Sequence, residues 1–486
     1  MTALRWSSRT IVWTFSKASI HCRCPGCGWP LCNSKCSGIK KSIGHSTWEC
    51  SLLRERRVAD LLDRCKTEKD YIDMYEVIAP LRCLLLKQNS KDRWEKLQRM
   101  ESHNGIRRGI PSLWQRNQRV IVEQIRNRWG IKDFTEEEIH TVCGILEVNC
   151  FEIGQNESRA RALYDEAYLL AHDCTPNTTH TDDPYSYELF IRVLGSVSAG
   201  VPLTLTYAYT LQGTLKRRQH LNEGKFFWCR CARCTDPTEF ATYSSALICP
   251  KCNNDGLILS TNPLSETATW QCNNCSYVVT GQSMLRLVDT VFRELDDIDS
   301  NNAEGFEEFL SKYRNVLHKN HYLCICAKHS LCQLYGRSEG YLIQELSLEL
   351  LQRKEQYCRD LLEVIDRIEP GLSRLRGLWR LSFPKKNRSI QGFSFWTGLI
   401  MYELHAPIMI QATRLFESKK ITSDDLRKRL REVVKLLKES QRILSMEPEE
   451  SSEHSMALAA ADALKRIGRI WWLWRRMSCD WVWKMK

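Results

Sequence analysis

Residues 229–234 read Cys-Arg-Cys-Ala-Arg-Cys and place three thiols within six positions of the chain. A second arrangement follows, in which the pairs Cys249-x2-Cys252 and Cys272-x2-Cys275 are separated by a 19-residue spacer. Zinc prefers tetrahedral sets of thiolate and imidazole, and Cys-x-x-Cys holds two sulfurs on one tight turn. The second arrangement therefore predicts a complete zinc ribbon, whereas the first predicts a zinc site that needs one more ligand from elsewhere.

A third cysteine-rich stretch lies near the start of the sequence. It contains six residues of ligand type: Cys24, Cys27, Cys32, Cys36, His45 and Cys50. Six ligands exceed one tetrahedral site and fall two short of two sites, and the adjacent His21 and Cys22 are alternative ligands. We expect structural zinc throughout, because closed four-ligand sites leave no open position for catalysis. The other cysteines are expected to be small buried hydrophobes: Cys65, Cys83, Cys143, Cys150, Cys324, Cys326, Cys332 and Cys358.

The composition is that of a globular protein that works in a reducing compartment. The chain has 486 residues, of which 43% are hydrophobic and 26% charged. Metal-ligand spacing among its 23 cysteines, with no recognisable secretory signal, favours the cytoplasm or the nucleus. The sequence contains no run of 18 apolar residues, so no membrane span is expected.

The net charge of +12 is concentrated in three segments. Residues 1–20, 378–399 and 465–486 together carry a net charge of +13 and nine of the sixteen tryptophans, so the rest is nearly neutral. Binding to nucleic acid needs a cationic face, and a neutral body offers no electrostatic argument for it. The three segments differ in composition from the chain around them.

Three stretches, taken in order, resemble the SET and MYND domain-containing (SMYD) family of protein-lysine methyltransferases, especially its arthropod branch. The first is the finger from Cys24 to Cys50. The second is residues 170–177, Leu-Ala-His-Asp-Cys-Thr-Pro-Asn, which look like the family's Asn-His-Ser-Cys-x-Pro-Asn motif. The third begins at residues 200–207, Gly-Val-Pro-Leu-Thr-Leu-Thr-Tyr, which are similar to the family's Gly-Glu-Glu-Ile-x-x-x-Tyr segment, and it leads into the cysteines of residues 229–234.

The resemblance covers roughly residues 22–377 and 400–460, and it implies an α+β fold. A β-rich SET core with a MYND-type zinc finger and post-SET zinc sites would be followed by an all-α, helical-repeat-like C-terminal domain. The expected segments are an atypical N-terminus (1–20), a partial MYND-type finger (21–50), a helical SET insert (51–137), the C-terminal part of the SET core (138–212), a post-SET zinc-binding region (213–280), a helical C-terminal domain (281–464) with an insert at 378–399, and a basic aromatic tail (465–486).

Periodicity independently predicts helices in the C-terminal region. The clearest stripe consists of Leu426, Leu430, Val433, Leu437 and Leu444. Thr422-x-x-Asp425 offers a capping box at its start, and Pro448 stops it. Such a stripe is typical of a helix that packs its apolar face into a core.

The resemblance also assigns roles to individual residues. Tyr207 would be the catalytic residue that closes the lysine channel and orients the amine. The family's contacts to S-adenosylmethionine (AdoMet) map onto Asn149, Tyr164, Ala171, His172 and Phe227. In the family the motif histidine meets the adenine through its backbone, and the aromatic residue at the position of Phe227 stacks on the adenine.

The metal ligands can be completed in the same way. The motif cysteine, Cys174, would supply the missing ligand to the site of Cys229, Cys231 and Cys234. In the finger, the family's interleaved pattern joins four residues in one site: Cys24, Cys27, His45 and Cys50. Cys32 and Cys36 would then belong to a second site that lacks its partners.

Two departures from the family pattern concern the cofactor site and the finger. Ala171 stands where the family has asparagine, and residues 1–20 contain neither the family's Gly-x-Gly segment nor a first Cys-x-x-Cys. We therefore expect a chain that is N-terminally truncated relative to its relatives. The expected function is AdoMet-dependent protein-lysine methylation, and the alternative is an inert zinc scaffold that binds partner proteins. The expected partners are a protein substrate or a proline-rich peptide, without direct nucleic-acid or membrane binding, and we expect a monomer.

Overall fold

The structure is a computed structural model, and it describes residues 4–6, 11–14, 22–31, 44–153, 160–183, 187–252, 255–368, 395–449 and 451–483. Its strands are β1 (Leu4–Trp6), β2 (Ile11–Thr14), β3 (Phe151–Ile153), β4 (Ala160–Leu163), β5 (Ala171–His172), β6 (Thr178–Asp182), β7 (Leu189–Val193), β8 (Thr204–Leu205), β9 (Leu247–Ile248), β10 (Leu257–Ser260), β11 (Trp270–Cys272) and β12 (Val278–Val279).

The helices occupy two long parts of the chain. They are α1 (Thr47–Glu55), α2 (Val58–Leu62), α3 (Glu68–Glu76), α4 (Ile78–Asn89), α5 (Lys91–Gln98), α6 (Asn104–Arg107), α7 (Pro111–Asn117), α8 (Glu136–Asn149), α9 (Thr214–Lys225), α10 (Ala232–Thr235), α11 (Gly281–Asp296), α12 (Ala303–Tyr313), α13 (Tyr322–Leu334), α14 (Leu348–Ile368), α15 (Phe395–Glu417), α16 (Ser423–Leu444) and α17 (Ser452–Trp483). Small sheets, cysteine clusters and a C-terminal helical bundle confirm the predicted α+β class.

The chain divides into two compact units. The first consists of Met1–Ala171, His180–Ile191 and Asn222–Phe227. The second consists of His172–Thr179, Arg192–Leu221 and Trp228–Lys486.

The first unit combines two small antiparallel sheets with the helices α1–α8. The sheets have the strand orders β1-β7-β6 and β2-β4-β3, and Ile11 of β2 lies opposite Leu163 of β4. The helices bury a continuous apolar core around Leu53, Leu81 and Ile125. Burial of such side chains is the main free-energy gain on folding, at ~1.5–3 kcal/mol for each large apolar residue.

The second unit contains an antiparallel sheet of order β12-β11-β10-β9 and the helices α11–α17. Helix α16 begins at the predicted capping box, since the side chains of Thr422 and Asp425 each bind the other's backbone N–H. The predicted stripe is buried at Leu426, Val433, Leu437 and Leu444, while Leu430 is only half-buried. Buried ion pairs join neighbouring helices in this bundle, among them Lys354–Glu403 at 2.8 Å and Lys328–Asp360 at 2.6 Å.

The interval predicted as an insert, 378–399, ends inside a helix. Residues 378–394 lie outside the described residues, but α15 begins at Phe395. Ser440 Oγ donates a hydrogen bond to the Gly398 carbonyl at 2.8 Å, and a Cβ at Gly398 would lie 2.9 Å from Leu444. The last residues of the predicted insert are thus packed against α16, because the small glycine allows the two helices to approach closely.

The predicted tail also continues a helix, since α17 extends to Trp483 and Ile467 is buried. Among the described residues, no helix is both long and apolar enough to cross a membrane.

Candidate active site and metal centres

The second unit assembles the predicted site of Cys174, Cys229, Cys231 and Cys234. Their four sulfurs lie within 4.8 Å of one another. Cys174 Sγ is 3.5 Å from Cys234 Sγ and 3.9 Å from Cys229 Sγ. Four sulfurs at this spacing fit the tetrahedral coordination of zinc. The cluster is therefore consistent with a zinc site, with Cys174 as the distant ligand.

A buried arginine contacts two of these sulfurs. Arg217 Nε donates to Cys174 Sγ at 3.3 Å, and its Nη2 donates to Cys234 Sγ at 3.6 Å. Its Nη1 donates to Glu239 Oε2 at 2.8 Å, and Arg233 Nε donates to the same oxygen at 3.2 Å. N–H donors aimed at sulfur favour thiolate, the form that binds zinc, so these residues fit a metal at this point.

This Arg–Glu–Arg network was not predicted from the sequence. Burial alone would raise the pKa of Glu239, but Arg217 and Arg233 overcome this effect and lower it to about 2. Arg217, Arg233 and Glu239 are each 1% exposed or less. A glutamate five residues beyond the last cysteine is not a signal in itself, because only the folded chain brings it to both arginines.

His172 lies between the cysteine cluster and Tyr207. Its Nε2 is 3.2 Å from Cys174 Sγ, and its Nδ1 accepts a hydrogen bond from the Tyr207 backbone N–H at 3.0 Å. The two rings are tilted by 48° with their centroids 5.3 Å apart. The structure thus brings together three of the predicted site residues in the second unit.

A set of hydrogen bonds holds the motif stretch against the segment before Tyr207. Asn177 Oδ1 accepts from the Thr204 N–H at 2.8 Å, and its Nδ2 donates to the Pro202 carbonyl at 2.8 Å. The backbone N–H of Asp173 donates to the Leu205 carbonyl at 2.9 Å. Asn177 belongs to the quoted motif, yet its role as the clamp between the two stretches became clear only from the fold.

Tyr207 itself follows β8 in a bend and is half-buried. Burial raises the pKa of its phenol above the ordinary value. The hydroxyl therefore stays protonated and uncharged at neutral pH.

The other predicted cofactor residues lie in the first unit. Asn149 ends α8, and its Nδ2 donates to the carbonyls of Glu101 and Ile145, each at 2.9 Å. Tyr164 is fully buried, and its hydroxyl donates to the Tyr187 carbonyl at 2.8 Å. Ala171 is exposed.

Two segments that carry predicted cofactor residues meet within the first unit. Lys225 Nζ donates to the Val148 carbonyl, next to Asn149, at 2.5 Å. The ring of Phe226 packs edge-on against His103 with centroids 5.4 Å apart. Phe227, which follows directly, is half-buried. The cofactor roles of Asn149, Tyr164, Ala171, His172 and Phe227 stay predictions.

A buried glutamate supports the finger cluster in the first unit. Its ligand atoms, from Cys24, Cys27, His45 and Cys50, lie within 4.8 Å of one another. His45 Nε2 is 3.2 Å from Cys27 Sγ, and its Nδ1 is 2.8 Å from the fully buried Glu49 carboxylate. Such a carboxylate fixes the ring orientation and tautomer of a ligating histidine, so the set fits zinc bound through Nε2.

The predicted second finger site falls on residues outside the described part of the chain. Cys32, Cys36 and His21 lie outside the described residues. Cys22 is half-buried against the core and is not part of the four-residue cluster.

The ribbon cluster in the second unit joins β9–β12. Cys249 Sγ is 3.7 Å from Cys275 Sγ, and Cys252 Sγ is 3.8 Å from Cys272 Sγ. A Cβ at position 256 would lie 2.6 Å from Cys272 Sγ, so glycine is required beside the sulfurs. The four cysteines are consistent with the predicted zinc ribbon.

The remaining cysteines mostly lie inside the protein. Cys83, Cys143, Cys324, Cys332 and Cys358 are buried, and Cys65 and Cys150 are half-buried. Cys326 was expected to be buried but is exposed, because it lies on the outer face of α13.

No family model matches the chain, but several known proteins are similar to it in sequence. The chain is 26% identical over 362 residues to the SET domain-containing protein SmydA-8, isoform B, of Drosophila melanogaster; the match covers 73% of this chain and 75% of the fly protein. It is 23% identical over 240 residues to the histone-lysine N-methyltransferase ASHR1 of Arabidopsis thaliana, covering 47% of this chain and 48% of the plant protein. It is 25% identical over 136 residues to the histone-lysine N-methyltransferase Smyd1 of Mus musculus, covering 25% of this chain and 28% of the mouse protein. Together with the three cysteine clusters, these relatives show that the chain resembles the SET and MYND domain-containing (SMYD) family.

Proposed function

We propose that this chain is an AdoMet-dependent protein-lysine methyltransferase in which Tyr207 is the catalytic residue. The observation that carries the proposal is the link from Tyr207 through His172 to Cys174. It joins the tyrosine segment, the motif stretch and a cysteine cluster at one place, as a site built from these three parts requires.

The chemistry assigns a clear task to Tyr207. Bound AdoMet would supply an electrophilic methyl group on a sulfonium. The attacking lysine must be neutral, so the protein has to desolvate the amine and align it rather than activate it covalently. A protonated phenol orients the amine by hydrogen bonding, and its raised pKa keeps it from becoming a phenolate that would hold the lysine as an ammonium ion.

Several residues would hold the cofactor in roles that suit their surroundings. The side-chain amide nitrogen of Asn149 donates both of its hydrogen bonds to backbone carbonyls. Its side-chain oxygen would then accept a hydrogen bond from an amino group of the cofactor. The imidazole of His172 contacts Cys174 and Tyr207, and by the family pattern its backbone would meet the adenine. Phe227 would stack on the adenine.

Two of the predicted contacts would contribute less. The hydroxyl of Tyr164 is bound to the Tyr187 carbonyl inside the strand core, so this residue would not offer its hydroxyl to the cofactor. Ala171 has no hydrogen-bonding side chain, and the loss of one hydrogen bond costs about 0.5–1.5 kcal/mol. We therefore expect AdoMet binding that is weaker by up to roughly tenfold than in a relative with asparagine there.

The proposed substrate class is lysine in proteins, with histones as the first candidates. The plant and mouse relatives are named histone-lysine N-methyltransferases. A nuclear or cytosolic location suits a chain whose described cysteines are unpaired thiols.

The test is methyl transfer by the purified, zinc-loaded chain from radiolabelled AdoMet to histone octamers and to a protein array. We expect labelled lysine with the wild type and a loss of ~10²-fold or more in kcat with Tyr207→Phe. Tyr209→Phe is the matched control, because Tyr209 is 66% exposed and lies two residues further along the same segment. Methylation that survives Tyr207→Phe would contradict the assignment.

A second candidate function is a zinc scaffold without catalysis, and the exposed methyl group at Ala171 favours it. Calorimetric titration of the same protein with AdoMet and with a proline-rich peptide separates the two functions. Binding of AdoMet supports the enzyme, whereas binding of the peptide without AdoMet supports the scaffold.

A further inference from the structure

Each ring nitrogen of His172 has a hydrogen-bond partner. A backbone N–H can only donate, so Nδ1, which lies 3.0 Å from the Tyr207 nitrogen, is the acceptor. In the neutral ring the proton is then on Nε2, which lies 3.2 Å from Cys174 Sγ and donates to it. The tautomer is therefore set by two partners that differ in chemistry, a peptide group on one side and a thiolate on the other.

The sulfur that accepts this bond is itself held firmly. Cys174 is fully buried, and Arg217 Nε donates to the same Sγ at 3.3 Å. Two N–H donors on one sulfur match a metal-bound thiolate, whose negative charge would otherwise be buried without compensation. A shift of this sulfur would therefore move the acceptor of the His172 bond.

The other end of the link is equally constrained. The Asp173 N–H donates a hydrogen bond to the Leu205 carbonyl, and Asn177 Oδ1 accepts one from the Thr204 N–H. These bonds bring the His172 ring beside the backbone of Tyr207. The tyrosine lies two residues beyond the end of β8, and its N–H donates to His172 Nδ1 at 3.0 Å.

We propose that His172 is a positioning residue that ties the backbone of Tyr207 to the Cys174 metal cluster, so that the state of the cluster sets the position of the tyrosine. This inference rests on the proposed function, because it treats Tyr207 as the catalytic residue. It assigns the histidine side chain a role of its own, separate from any contact of its backbone with adenine.

Two substitutions each remove one of the two hydrogen bonds of the His172 ring. Asparagine places an oxygen near the position of Nδ1, so His172→Asn keeps an acceptor for the Tyr207 N–H and loses the donor to sulfur. Glutamine places an amide nitrogen near the position of Nε2, so His172→Gln keeps the donor to Cys174 and loses the acceptor. His172→Phe keeps only the ring shape and tests whether packing alone suffices.

The Asn and Gln variants are expected to differ in zinc retention. With His172→Asn, we expect the cluster to release zinc to a chelator at ~10–100-fold lower chelator concentration, while the Tyr207 N–H keeps an acceptor. With His172→Gln, we expect the zinc to be retained and kcat to fall by up to ~10²-fold at unchanged KM for AdoMet. His172→Phe should show both defects, and His220→Asn, at an exposed histidine, should show neither.

A third measurement does not depend on catalysis. A 3-fluorotyrosine placed at position 207 reports its surroundings by fluorine NMR. We expect a single narrow resonance in the zinc-loaded wild type. It should broaden or shift with His172→Gln and when the metal is stripped from the wild type.

The results separate the two proposals. If the wild type transfers no methyl group but the fluorine and zinc data follow the expected pattern, the link is supported and the enzyme assignment fails. If His172→Phe keeps the wild-type zinc retention and fluorine spectrum, the histidine acts by packing and the link is overturned. Equal behaviour of the Asn and Gln variants in both measurements would also overturn it.

Discussion

Arg217 donates a hydrogen bond from Nε to Sγ of Cys174 at 3.3 Å, and neither residue has any exposed surface. Four thiolates around Zn²⁺ leave a net double negative charge, which is costly to bury without a nearby cation. Glu239 holds the guanidinium in place from the opposite side. The arrangement explains how a four-cysteine site can lie in the interior of the second unit.

Removing this cation should loosen the cluster. We expect Arg217→Met to lower zinc affinity by ~10–100-fold, because the sulfurs lose two donors. The variant should also destabilise the fold by about 3–5 kcal/mol, because Glu239 loses one partner of a buried pair. Chelator competition and urea unfolding measure the two effects, and Arg230→Met, at an exposed arginine between Cys229 and Cys231, is the control. Wild-type zinc retention in Arg217→Met would contradict this role.

The finger cluster should depend on Glu49 in a similar way. Its carboxylate is fully buried between His45 Nδ1 and Arg82 Nε, at 2.8 and 2.5 Å. We expect Glu49→Leu to weaken zinc binding at this cluster by ~10–100-fold, because the histidine loses the acceptor that orients it. Zinc release is measured by chelator titration, with Glu55→Leu on the exposed face of α1 as the control. The prediction fails if both variants release zinc alike.

The ribbon should be intolerant of a single methyl group at Gly256. A Cβ there would lie 2.6 Å from Cys272 Sγ and 3.0 Å from Cys252 Sγ, so the sulfurs would have to move. We expect Gly256→Ala to lose one equivalent of zinc, as counted by elemental analysis. Gly224→Ala is the matched control, because a Cβ there meets no atom within 4 Å, and alanine in this helix should stabilise by roughly 0.5–1 kcal/mol. Full zinc content in Gly256→Ala would show that the ribbon can adjust.

His321 should make the second unit sensitive to mild acid. Burial lowers the pKa of His321 to about 3, whereas its ordinary value is 6.5. As the pH falls, His321 is therefore protonated in the unfolded chain before it is protonated in the folded chain. Stability falls as the pH drops from about 6.5 towards 3. At pH 5 the protonation of this single group in the unfolded chain should lower the free energy of unfolding by about 2 kcal/mol.

A substitution isolates this contribution. His321 caps α13, since its Nδ1 accepts from the Leu323 N–H, and asparagine is an equally good cap. We expect His321→Asn to leave urea unfolding at pH 7 nearly unchanged and to reduce the loss of stability between pH 7 and pH 5. An identical pH dependence in the wild type and the variant would show that another group controls it.

The local features were largely predictable from the sequence. The helix signals at Thr422 and Asp425 act within one turn, and the Cys-x-x-Cys pairs are held together by their own short turns. The tetrahedral requirement of zinc also showed that the cluster at residues 229–234 needed a distant ligand. Resemblance to a known family supplied Cys174, which the fold brings to within 4.8 Å of the other three sulfurs.

The supporting residues could not be predicted in this way. Glu239 joins Arg217 and Arg233 only after the loop beyond α10 folds back. Gly398, within the predicted insert, lies in α15 and accepts a hydrogen bond from Ser440 of α16. Nothing in the spacing of these residues distinguishes them from ordinary surface charges or a linker glycine.

The sequence by itself determined the ligand types, the cysteine pairs, the helical periods and the tyrosine that follows a short strand. These depend on neighbouring residues and on the coordination preference of zinc. Only the tertiary structure decided that His172 faces both Cys174 and Tyr207, and that Arg217 compensates the buried sulfurs. Such contacts join residues that lie tens of positions apart, and their partners are selected by the packing of the whole unit rather than by local chain geometry.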